Sequence, residues 1–407
     1  MRRIAAFALG CASLWVGQVA RPATTEPVVL PRGVVLPKDV KVPNEVALAV
    51  YFPAGELKSR SYIAGLGLWA EPGKALEESR RDIATKLFPT VLPVTPGTSG
   101  HYGLLLSLHP LWSYENGQLR LDMQYRVFDP AGTLLREGSQ VQNAGVNASG
   151  TLGGFRAVSY KAMQLILVDV LKELHPSPAV FPASGELGEL PATRLVRHDK
   201  PVSTGTGFVL NRSGQLLTAA HVLHECLLIE SSREGKSLEV KPRVSSDLLD
   251  LAVVDTGQDA STALPLRVGQ TLTLGEAVTN VGYPLQGLLA DTPNVTRGNV
   301  SARAGLKGSV GLFQFSAPIQ PGSSGGPVVS DSGELLGITV STLNVASLAQ
   351  RGLLPQNVNF ALDARYAASF LRREHIDFAE VAPRSGGSLQ TANDAALAAV
   401  VKLSCYQ

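Results

Sequence analysis

Three segments, far apart in the chain, hold a histidine, an aspartate and a serine in settings that could perform acyl transfer. His221 follows an apolar run, Asp250 directly precedes Leu-Ala-Val-Val, and Ser324 stands in Gly-Ser-Ser-Gly-Gly. A serine hydroxyl is a weak nucleophile, so it needs a neutral imidazole to take its proton and a carboxylate to hold that imidazole. The pattern therefore predicts His221 as general base, Asp250 as its orienting acid and Ser324 as nucleophile.

The glycines beside the serine would supply the other requirement of this chemistry. The developing oxyanion needs backbone N–H donors aimed at it, each worth about 3 to 4 kcal/mol in the transition state. Gly322 has no side chain, so it can take the tight turn that points its own N–H and that of Ser324 into one hole. Asp247 and Ser323 stand close by and compete for the roles of acid and nucleophile.

Taken together, the three segments resemble those of trypsin-like serine peptidases, most closely the bacterial HtrA (Deg) type. The resemblance covers residues 200–380 and includes an entry strand, a Val-Gly-Tyr-Pro block, a Gly-Asn-Val-Ser turn and an Asn-Phe-Ala-Leu block. These stand at Thr204–Phe208, Val281–Pro284, Gly298–Ser301 and Asn359–Leu362. The family places its carboxylate directly before Leu-Ala-Val and its serine directly before Gly-Gly-Pro, which favours Asp250 and Ser324 over their neighbours.

The resemblance implies an all-β double-barrel protease domain that works through an acyl-enzyme. Such a protein would be an exported serine endopeptidase acting on proteins or peptides, with the acyl group carried by Ser324. The alternative is a catalytically silent binding or scaffold protein on the same fold, and an esterase is a third hypothesis. A complete set of His221, Asp250 and Ser324 argues against the scaffold, because a scaffold has no need of all three.

The resemblance also implies where the substrate side chain before the cleaved bond would bind. The predicted wall residues are Pro318, Ile319, Gln320, Val340, Ser341 and Thr342. Asn359 would stand near the base, where the family commonly has glycine, and its side chain would narrow the pocket or offer a hydrogen bond. None of these residues is acidic, so small or medium apolar side chains are expected rather than Arg or Lys.

The composition excludes several other classes of function. With 36 basic and 34 acidic side chains the formal net charge is +2, and no basic block follows the first few residues, so nucleic acid is not an expected partner. His101 and His109 have no third ligand beside them, and no metal-ligand pattern accompanies His224. We therefore expect neither a metal nor an organic cofactor. The sequence carries no signal for or against an oligomer.

The N-terminus has the pattern of an export signal. Two arginines precede an uncharged apolar stretch within Ile4–Val16, which is shorter than the about 20 residues that a spanning helix requires. Removal of residues 1–20 predicts a periplasmic or secreted protein without a membrane span. A lipoprotein attached through Cys11 is a minor alternative, because the residues before it resemble a lipoprotein box.

Two cysteines, Cys226 and Cys405, remain after such a cleavage. In an oxidising compartment two thiols can pair, and a bridge over so long a loop would contribute on the order of 5 kcal/mol in the chain-entropy model. Two unrelated buried thiols are the other interpretation.

A length of 407 residues predicts two domains with proline-rich connections. Residues 45–175 read as a small α+β domain for recognition or regulation, with Leu119–Val127 as a strand of antiparallel hairpins and Phe155–Leu174 as a helix. Residues 195–380 read as the protease domain, followed by too few residues for the PDZ domain usual in HtrA proteases. The remaining predicted segments are a leader, 21–44, a linker, 176–194, and a tail, 381–407, whose end docks as a strand fixed by Cys405.

Overall fold

The computed structural model describes residue 43 and residues 45–63, 68–115, 117–145, 151–286, 291–305, 311–342 and 357–407. The predicted export signal 1–20, the alternative lipidation site at Cys11 and nearly all of the leader lie outside the described residues. No helix in the described ranges is long and apolar enough to cross a membrane. The described chain forms an N-terminal sheet unit and two β-barrels.

The N-terminal unit is a five-stranded sheet with helices packed on one face. Its elements in chain order are β1 (Ala47–Tyr51), α1 (Ala54–Lys58), β2 (Ser61–Ile63), β3 (Leu68–Ala70), α2 (Pro72–Ser79), a π-helical turn (Arg80–Ala84), α3 (Thr85–Leu87), β4 (Thr90–Pro93), β5 (His101–Tyr102), β6 (Leu104–Glu115), β7 (Gln118–Phe128), β8 (Leu134–Gly145), α4 (Thr151–Leu174), β9 (Gly185–Glu186), a 3-10 turn (Leu187–Glu189) and α5 (Ala192–Leu195). The main sheet has the order β4-β1-β6-β7-β8.

Strand β7 explains why the sheet has two different faces. Its apolar side chains alternate with polar ones, and a period of two places them all on one side, buried against the helices. They are Leu119, Leu121, Met123, Tyr125 and Val127. The strand and the helix that the sequence predicts in this region are observed as β7 and α4.

The antiparallel hairpins predicted around Leu119–Val127 are confirmed, and the sheet also contains parallel strands. Strands β6, β7 and β8 are antiparallel neighbours, but β1 runs parallel to both β4 and β6. Between β1 and β4 the chain passes through α2 and α3, the kind of crossover that a parallel pair requires. Glu115 and Gln118 pair at the end of the hairpin formed by β6 and β7.

The segment predicted as a linker, 176–194, is instead packed against the N-terminal unit. Strand β9 pairs with β5, and Leu187 and Leu195 cover the second face of the sheet. An apolar sheet face has to be buried against another part of the chain. The prolines of this segment therefore indicate a lack of regular structure and not a lack of packing.

Two β-barrels with short helices around them follow. Their elements are β10 (Ser203–Val209), β11 (Gln215–Thr218), β12 (Leu228–Arg233), β13 (Lys236–Ser246), β14 (Leu251–Asp255), β15 (Leu266–Arg267), β16 (Ala277–Gly282), β17 (Asn294–Ala302), β18 (Leu312–Phe315), β19 (Pro327–Val329), β20 (Leu335–Thr342), β21 (Asn359–Asp363), α6 (Ala364–Arg373), β22 (Glu380–Val381), α7 (Leu389–Ala399) and β23 (Val400–Tyr406). The first barrel closes in the order β10-β11-β14-β13-β12-β23. In the second, β16-β17-β18-β21-β20-β19 form a ring, with β15 and β22 added beside β20. The predicted double-barrel fold is confirmed.

The residues Gly298–Ser301, predicted as a turn, lie inside strand β17. A Cβ on Gly298 would stand 2.1 Å from the backbone nitrogen of Ala317. This glycine therefore marks a close approach between two backbone segments and not a reversal of the chain.

The predicted C-terminal strand fixed by Cys405 is observed as β23, and it is an integral strand of the first barrel. It lies between β10 and β12, with Cys405 opposite Ile229, and a disulfide joins Cys405 to Cys226. Without β23, strands β10 and β12 would each expose an unpaired edge. The protease fold therefore extends past the predicted limit of residues 195–380, because its sixth strand comes from the predicted tail.

The N-terminal unit contacts the first barrel at this same strand. Val196, Leu228 and Tyr406 form a small buried cluster across the junction. The backbone N–H of Gly55 in α1 donates to Oε1 of Gln407 at 3.1 Å. The last residues of the chain thus serve both the closure of the barrel and its contact with the N-terminal unit.

We expect Leu403→Ala in β23 to lower the free energy of unfolding by about 2–5 kcal/mol, because this side chain is fully buried in the core of the barrels. Leu389→Ala is the matched control, since Leu389 in α7 is 43% exposed and its truncation should change stability by less than about 0.5 kcal/mol. Urea unfolding followed by circular dichroism measures both. Equal effects of the two substitutions would contradict the placement of β23 inside the barrel.

His109 in β6 is a structural residue of the N-terminal unit, with 6% of its surface exposed. Its Nε2 lies 3.0 Å from Oγ of Ser107, and that hydroxyl donates to the carbonyl of Leu195 at 3.1 Å. Burial, followed by the guanidinium groups of Arg126 and Arg197, lowers the pKa of His109 to about 3. The neutral imidazole therefore links the sheet to the segment that covers it.

We expect His109 to make stability depend on pH below neutrality. Its pKa is 6.5 in the reference state and about 3 in the fold, so the unfolded chain binds more protons between these values. The stabilisation from neutral, buried His109 is fully present above its pKa in the unfolded chain. It is lost as the pH falls towards its pKa in the folded protein, by at most about 1.4 kcal/mol per pH unit. Unfolding free energies of wild type and His109→Phe from pH 7 to pH 4 test this. An identical pH slope in the variant would refute it.

Candidate active site

Two neighbouring strands of the first barrel bring His221 and Asp250 together. Strand β11 pairs with β14, with Thr218 opposite Ala252, so the end of one strand lies beside the beginning of the other. His221 follows β11 in a 3-10 turn, Ala220–Leu223, and Asp250 directly precedes β14. Their proximity is therefore a consequence of the strand register.

The carboxylate of Asp250 holds His221 through two hydrogen bonds. Oδ2 lies 2.7 Å from Nδ1 of the imidazole, and Oδ1 accepts the backbone N–H of His221 at 2.9 Å. An ionised carboxylate can only accept, so Nδ1 carries the proton and Nε2 remains free to accept one. Asp250 has a left-handed φ of 49°, and its N–H donates to the carbonyl of Asp247 at 3.3 Å. Of the two competing aspartates, Asp250 is the one whose carboxylate contacts the imidazole.

Ser324 lies in a turn that requires glycine on both sides. Gly322 has φ 97° and Gly325 has φ 82°, a region that residues with a side chain rarely adopt. A Cβ on Gly322 would stand 2.4 Å from the carbonyl oxygen of Tyr283, and one on Gly325 would stand 2.2 Å from that of Thr206. Glycine is therefore required at these two positions both by the backbone conformation and by the close packing around the turn.

This turn is attached to both barrels. From the first barrel, Thr206 N donates to the carbonyl of Ser324 at 2.8 Å, and Gly325 N donates to a carbonyl of β20 in the second at 2.7 Å. The Cβ position of Gly325 is also 2.8 Å from the backbone nitrogen of Ala219, two residues before His221. The Ser324 turn and the His221 turn are therefore neighbours at the junction of the barrels. In the described part of the chain no hydrogen bond joins the side chains of Ser324 and His221.

Two N–H groups of the Ser324 turn have no backbone acceptor among the described residues. The N–H groups of Ser323, Gly325 and Gly326 donate to carbonyls at 2.9, 2.7 and 3.0 Å, whereas those of Gly322 and Ser324 do not donate to a carbonyl. Backbone donors in folded proteins are nearly always paired. These two N–H groups are the ones that the glycine pattern predicts to face an oxyanion.

The residues predicted to line a substrate pocket differ in their exposure. Gln320 and Pro318 are exposed, Ile319 packs partly against the core of the second barrel, and Val340 is buried in the apolar core. Ser341 and Thr342 belong to β20, and their side chains lie outside the described set. The structure thus places the exposed members of this group directly before the Ser324 turn.

Asn359 is buried at the start of β21, where its backbone pairs with Phe315 and Thr342. Its Nδ2 donates to the carbonyl oxygen of Ala317 at 2.7 Å. This side chain therefore makes the hydrogen bond that the sequence allowed for, but makes it to the backbone of the protein.

Thr206 is the residue that sequence reasoning missed. It is fully buried in β10, and hydrogen bonds run from its backbone and its hydroxyl to the Ser324 turn. Its only signal in the sequence is its place between two glycines of the entry strand, Thr204–Phe208. Threonine is common in barrel strands, so this position could not be selected from the sequence.

No group of three described His, Cys, Asp or Glu residues is arranged to hold a metal ion. His224 is exposed, and its Nε2 lies 3.9 Å from the carboxylate of Glu225. His101 is exposed in β5, away from the buried His109. These histidines therefore do not form a common site.

The double barrel and the arrangement of residues at its junction agree with the family match found for this part of the chain. Residues 205–338 match the family model described as a Trypsin-like peptidase domain. This part of the chain resembles the HtrA type within that class, as the sequence pattern predicts. The matched range ends at Ile338 and so includes His221, Asp250 and Ser324.

Several curated proteins are similar to this chain over the same region. The uncharacterized protein y4bJ of Sinorhizobium fredii is 42% identical over 175 residues, which cover 42% of this chain and 27% of that protein. Protease Do-like 2 of Arabidopsis thaliana is 33% identical over 42% of this chain and 28% of its own length. Serine endoprotease DegS of Haemophilus influenzae is 30% identical over 42% of this chain and 49% of its own length. The chain thus spans half or less of the length of these relatives.

We expect Gly325→Ala to destabilise the protein more than Gly257→Ala does. Both glycines have a left-handed φ, 82° and 69°, so both substitutions carry a similar backbone penalty of about 1–2 kcal/mol. Only at Gly325 would the new methyl group meet backbone and side-chain atoms at 2.2 Å, whereas nothing lies within 4 Å at Gly257. Crowding should add about 1–3 kcal/mol at Gly325. Chemical denaturation measures the difference, and equal losses would show that the turn is not packed as described.

Proposed function

We propose that this protein is a serine endopeptidase that works through an acyl-enzyme formed on Ser324. The observation that carries the proposal is the pair of hydrogen bonds that the Asp250 carboxylate accepts from His221, beside a turn in which two N–H groups have no backbone acceptor among the described residues. Similarity to a protein named as a serine endoprotease supports the same class of reaction.

In the proposed reaction, Oγ of Ser324 attacks the carbonyl carbon of the scissile peptide while Nε2 of His221 takes the hydroxyl proton. Asp250 holds the imidazolium that results, and the N–H groups of Gly322 and Ser324 donate to the oxyanion. The imidazolium then gives its proton to the departing amine. A water molecule, deprotonated by the same imidazole, then attacks the ester carbonyl carbon. The bond to Oγ breaks, the imidazolium returns its proton to Oγ, and the carboxylic acid leaves with Ser324 regenerated.

We propose proteins or peptides as substrates, with a small or medium apolar side chain before the cleaved bond. Ile319 and the neighbouring residues assigned to the pocket by resemblance include no acid. A basic substrate side chain buried there would lack a partner for its charge, and an unpaired buried charge is costly. Asn359 further limits the space, because its amide is held against Ala317 at the assigned base of the pocket.

We propose that the protein is exported, to the periplasm or out of the cell. The basic start and apolar stretch of residues 1–20 support this, and so does the bridge between Cys226 and Cys405. Disulfides persist mainly in oxidising compartments. Attachment to lipid through Cys11 is the alternative to full release.

The N-terminal unit is proposed as a recognition or regulatory module. Its helix α1 reaches the loop that follows His221, where Nζ of Lys58 lies 2.5 Å from Oε1 of Glu225. The Lys58 ammonium lowers the pKa of the Glu225 carboxyl. An exposed ion pair contributes little energy by itself. A partner that moves α1 would nevertheless act first on the residues between His221 and the disulfide at Cys226.

We expect a fluorophosphonate to label the wild-type protein and mass spectrometry to place the adduct on Ser324 and not on Ser323. Ser324→Ala should abolish the labelling and lower casein hydrolysis on the order of 10⁶-fold, because it removes the proposed nucleophile, whereas the neighbouring Ser323 is buried and its Oγ accepts the N–H of Gln320. Asp250→Asn should reduce kcat about 10⁴-fold through the wrong imidazole tautomer.

Asp247→Asn is the matched control, since Asp247 contributes only its backbone carbonyl to the turn at Asp250. It should retain wild-type turnover of casein. Wild-type protein that neither reacts with the fluorophosphonate nor cleaves casein would favour the silent binding protein, and turnover of a short-chain ester without casein cleavage would favour an esterase.

A further inference from the structure

Thr206 makes hydrogen bonds to the Ser324 turn through both its backbone and its side chain. It lies in β10 and is fully buried. Its backbone N–H donates to the carbonyl of Ser324 at 2.8 Å, and its hydroxyl donates to the carbonyl of Gly322 at 2.7 Å. The same hydroxyl accepts the N–H of Tyr283 at 2.9 Å. One residue of the first barrel therefore contacts the turn at two carbonyls and a neighbouring loop at one N–H.

The two carbonyls fix the orientation of one of the proposed oxyanion donors. The carbonyl and N–H of a planar trans peptide point in opposite directions, so holding a carbonyl sets the plane of its whole peptide unit. Thr206 holds the peptide that follows Gly322 and the peptide that follows Ser324. The peptide between Ser323 and Ser324, whose N–H is the proposed donor, is thus held from both ends.

The second donor is held through the loop that Thr206 also anchors. The N–H of Gly322 belongs to the peptide whose carbonyl is that of Pro321, and this carbonyl accepts the N–H of Leu285 at 2.7 Å. Leu285 has a left-handed φ of 48° and stands two residues after Tyr283, whose N–H is bound by the Thr206 hydroxyl. The same hydroxyl therefore supports both peptides that present N–H groups to an oxyanion.

We propose that Thr206 is a positioning residue for the oxyanion hole, and that its hydroxyl keeps the N–H groups of Gly322 and Ser324 aimed at one point. The inference rests on the proposed function, because it assigns a role in the same reaction. It adds a residue that does not touch the substrate and belongs to the barrel opposite the nucleophile.

The chemistry of a hydroxyl explains why this position needs one. A threonine hydroxyl has one donor and two acceptor sites, and here it donates to a carbonyl and accepts an N–H at the same time. Valine has the same shape but would leave the Gly322 carbonyl and the Tyr283 N–H without this partner. Unpaired buried polar groups are costly, so the turn would gain from rotating its peptides towards other partners, and the N–H groups would leave the hole.

The test compares Thr206→Val with Thr206→Ser in the full-length protein. Both keep the backbone bond to Ser324, but only serine keeps the hydroxyl. Thr279→Val is the matched control, since Thr279 is also fully buried in a barrel strand and its hydroxyl has no hydrogen-bond partner in the described part of the chain. Initial rates on fluorescein-labelled casein give kcat and KM, the rate of fluorophosphonate labelling reports attack by Ser324, and thermal unfolding reports stability.

We expect Thr206→Val to lower kcat and the labelling rate about 10- to 100-fold, less than the 10²- to 10³-fold loss that follows outright removal of an oxyanion donor. KM should stay within about threefold, because ground-state binding does not depend on the hole. Thr206→Ser should restore both rates to within about threefold of wild type. Thr279→Val should match wild type in rate.

Three results would overturn the inference. A folded Thr206→Val variant with wild-type kcat would do so directly. A lower kcat together with a higher KM and a lower thermal stability, none of them restored in Thr206→Ser, would show that Thr206 acts only through packing. If the wild-type protein shows neither labelling nor casein cleavage, the proposed endopeptidase function itself fails. This result is distinct from a failure of the Thr206 proposal alone, in which the wild type remains active. If the valine variant does not fold, Thr206→Ala measured against Thr206→Ser provides the same comparison of hydroxyl present and hydroxyl absent.

Discussion

The hydrogen bonds that tie the Ser324 turn to both barrels are the constraint on which the site depends. One bond runs from Thr206 in the first barrel to the carbonyl of Ser324, and another runs from Gly325 to a carbonyl of β20 in the second. Neither barrel alone contains the site, because His221 and Asp250 belong to the first and Ser324 to the second. The chemistry therefore depends on how the two barrels pack, and the glycines of the turn are what permit their close approach.

The strand that carries Thr206 is itself held by the end of the chain. Strand β10 pairs with β11 on one side and with β23 on the other, and β23 also closes the barrel against β12. The loop after His221 is joined to β23 through the bond between Cys226 and Cys405. The C-terminal strand thus supports the serine turn through β10 and the histidine turn through the disulfide. Its neighbour Gln407 and its own Tyr406 also contact the N-terminal unit, so these last residues connect that unit to the first barrel.

The features predicted from the sequence share one property: their signal is local. The glycines around Ser324 are needed for a backbone conformation and a close contact at those same residues, so the pattern survives in the sequence. The alternation along β7 and the order of His221, Asp250 and Ser324 can likewise be recognised without knowledge of the tertiary contacts. Other features of the fold have no local signal in the sequence. The parallel pairing of β1, the packing of residues 176–194 and the entry of β23 into the barrel depend on partners distant in the chain.

The sequence by itself determined the residue types that acyl transfer needs, the strand at Leu119–Val127, and the choice of Gly322 and Ser324 as the residues whose N–H groups would face an oxyanion. Only the tertiary structure decided that Asp250 and not Asp247 directs its carboxylate to His221, and that Thr206 holds the Ser324 turn. The physical reason is that a hydrogen bond requires atoms within about 3 Å in a defined direction. Residue type restricts which atoms can take part, but their distance and direction are set only when strands remote in sequence pair and the two barrels pack together.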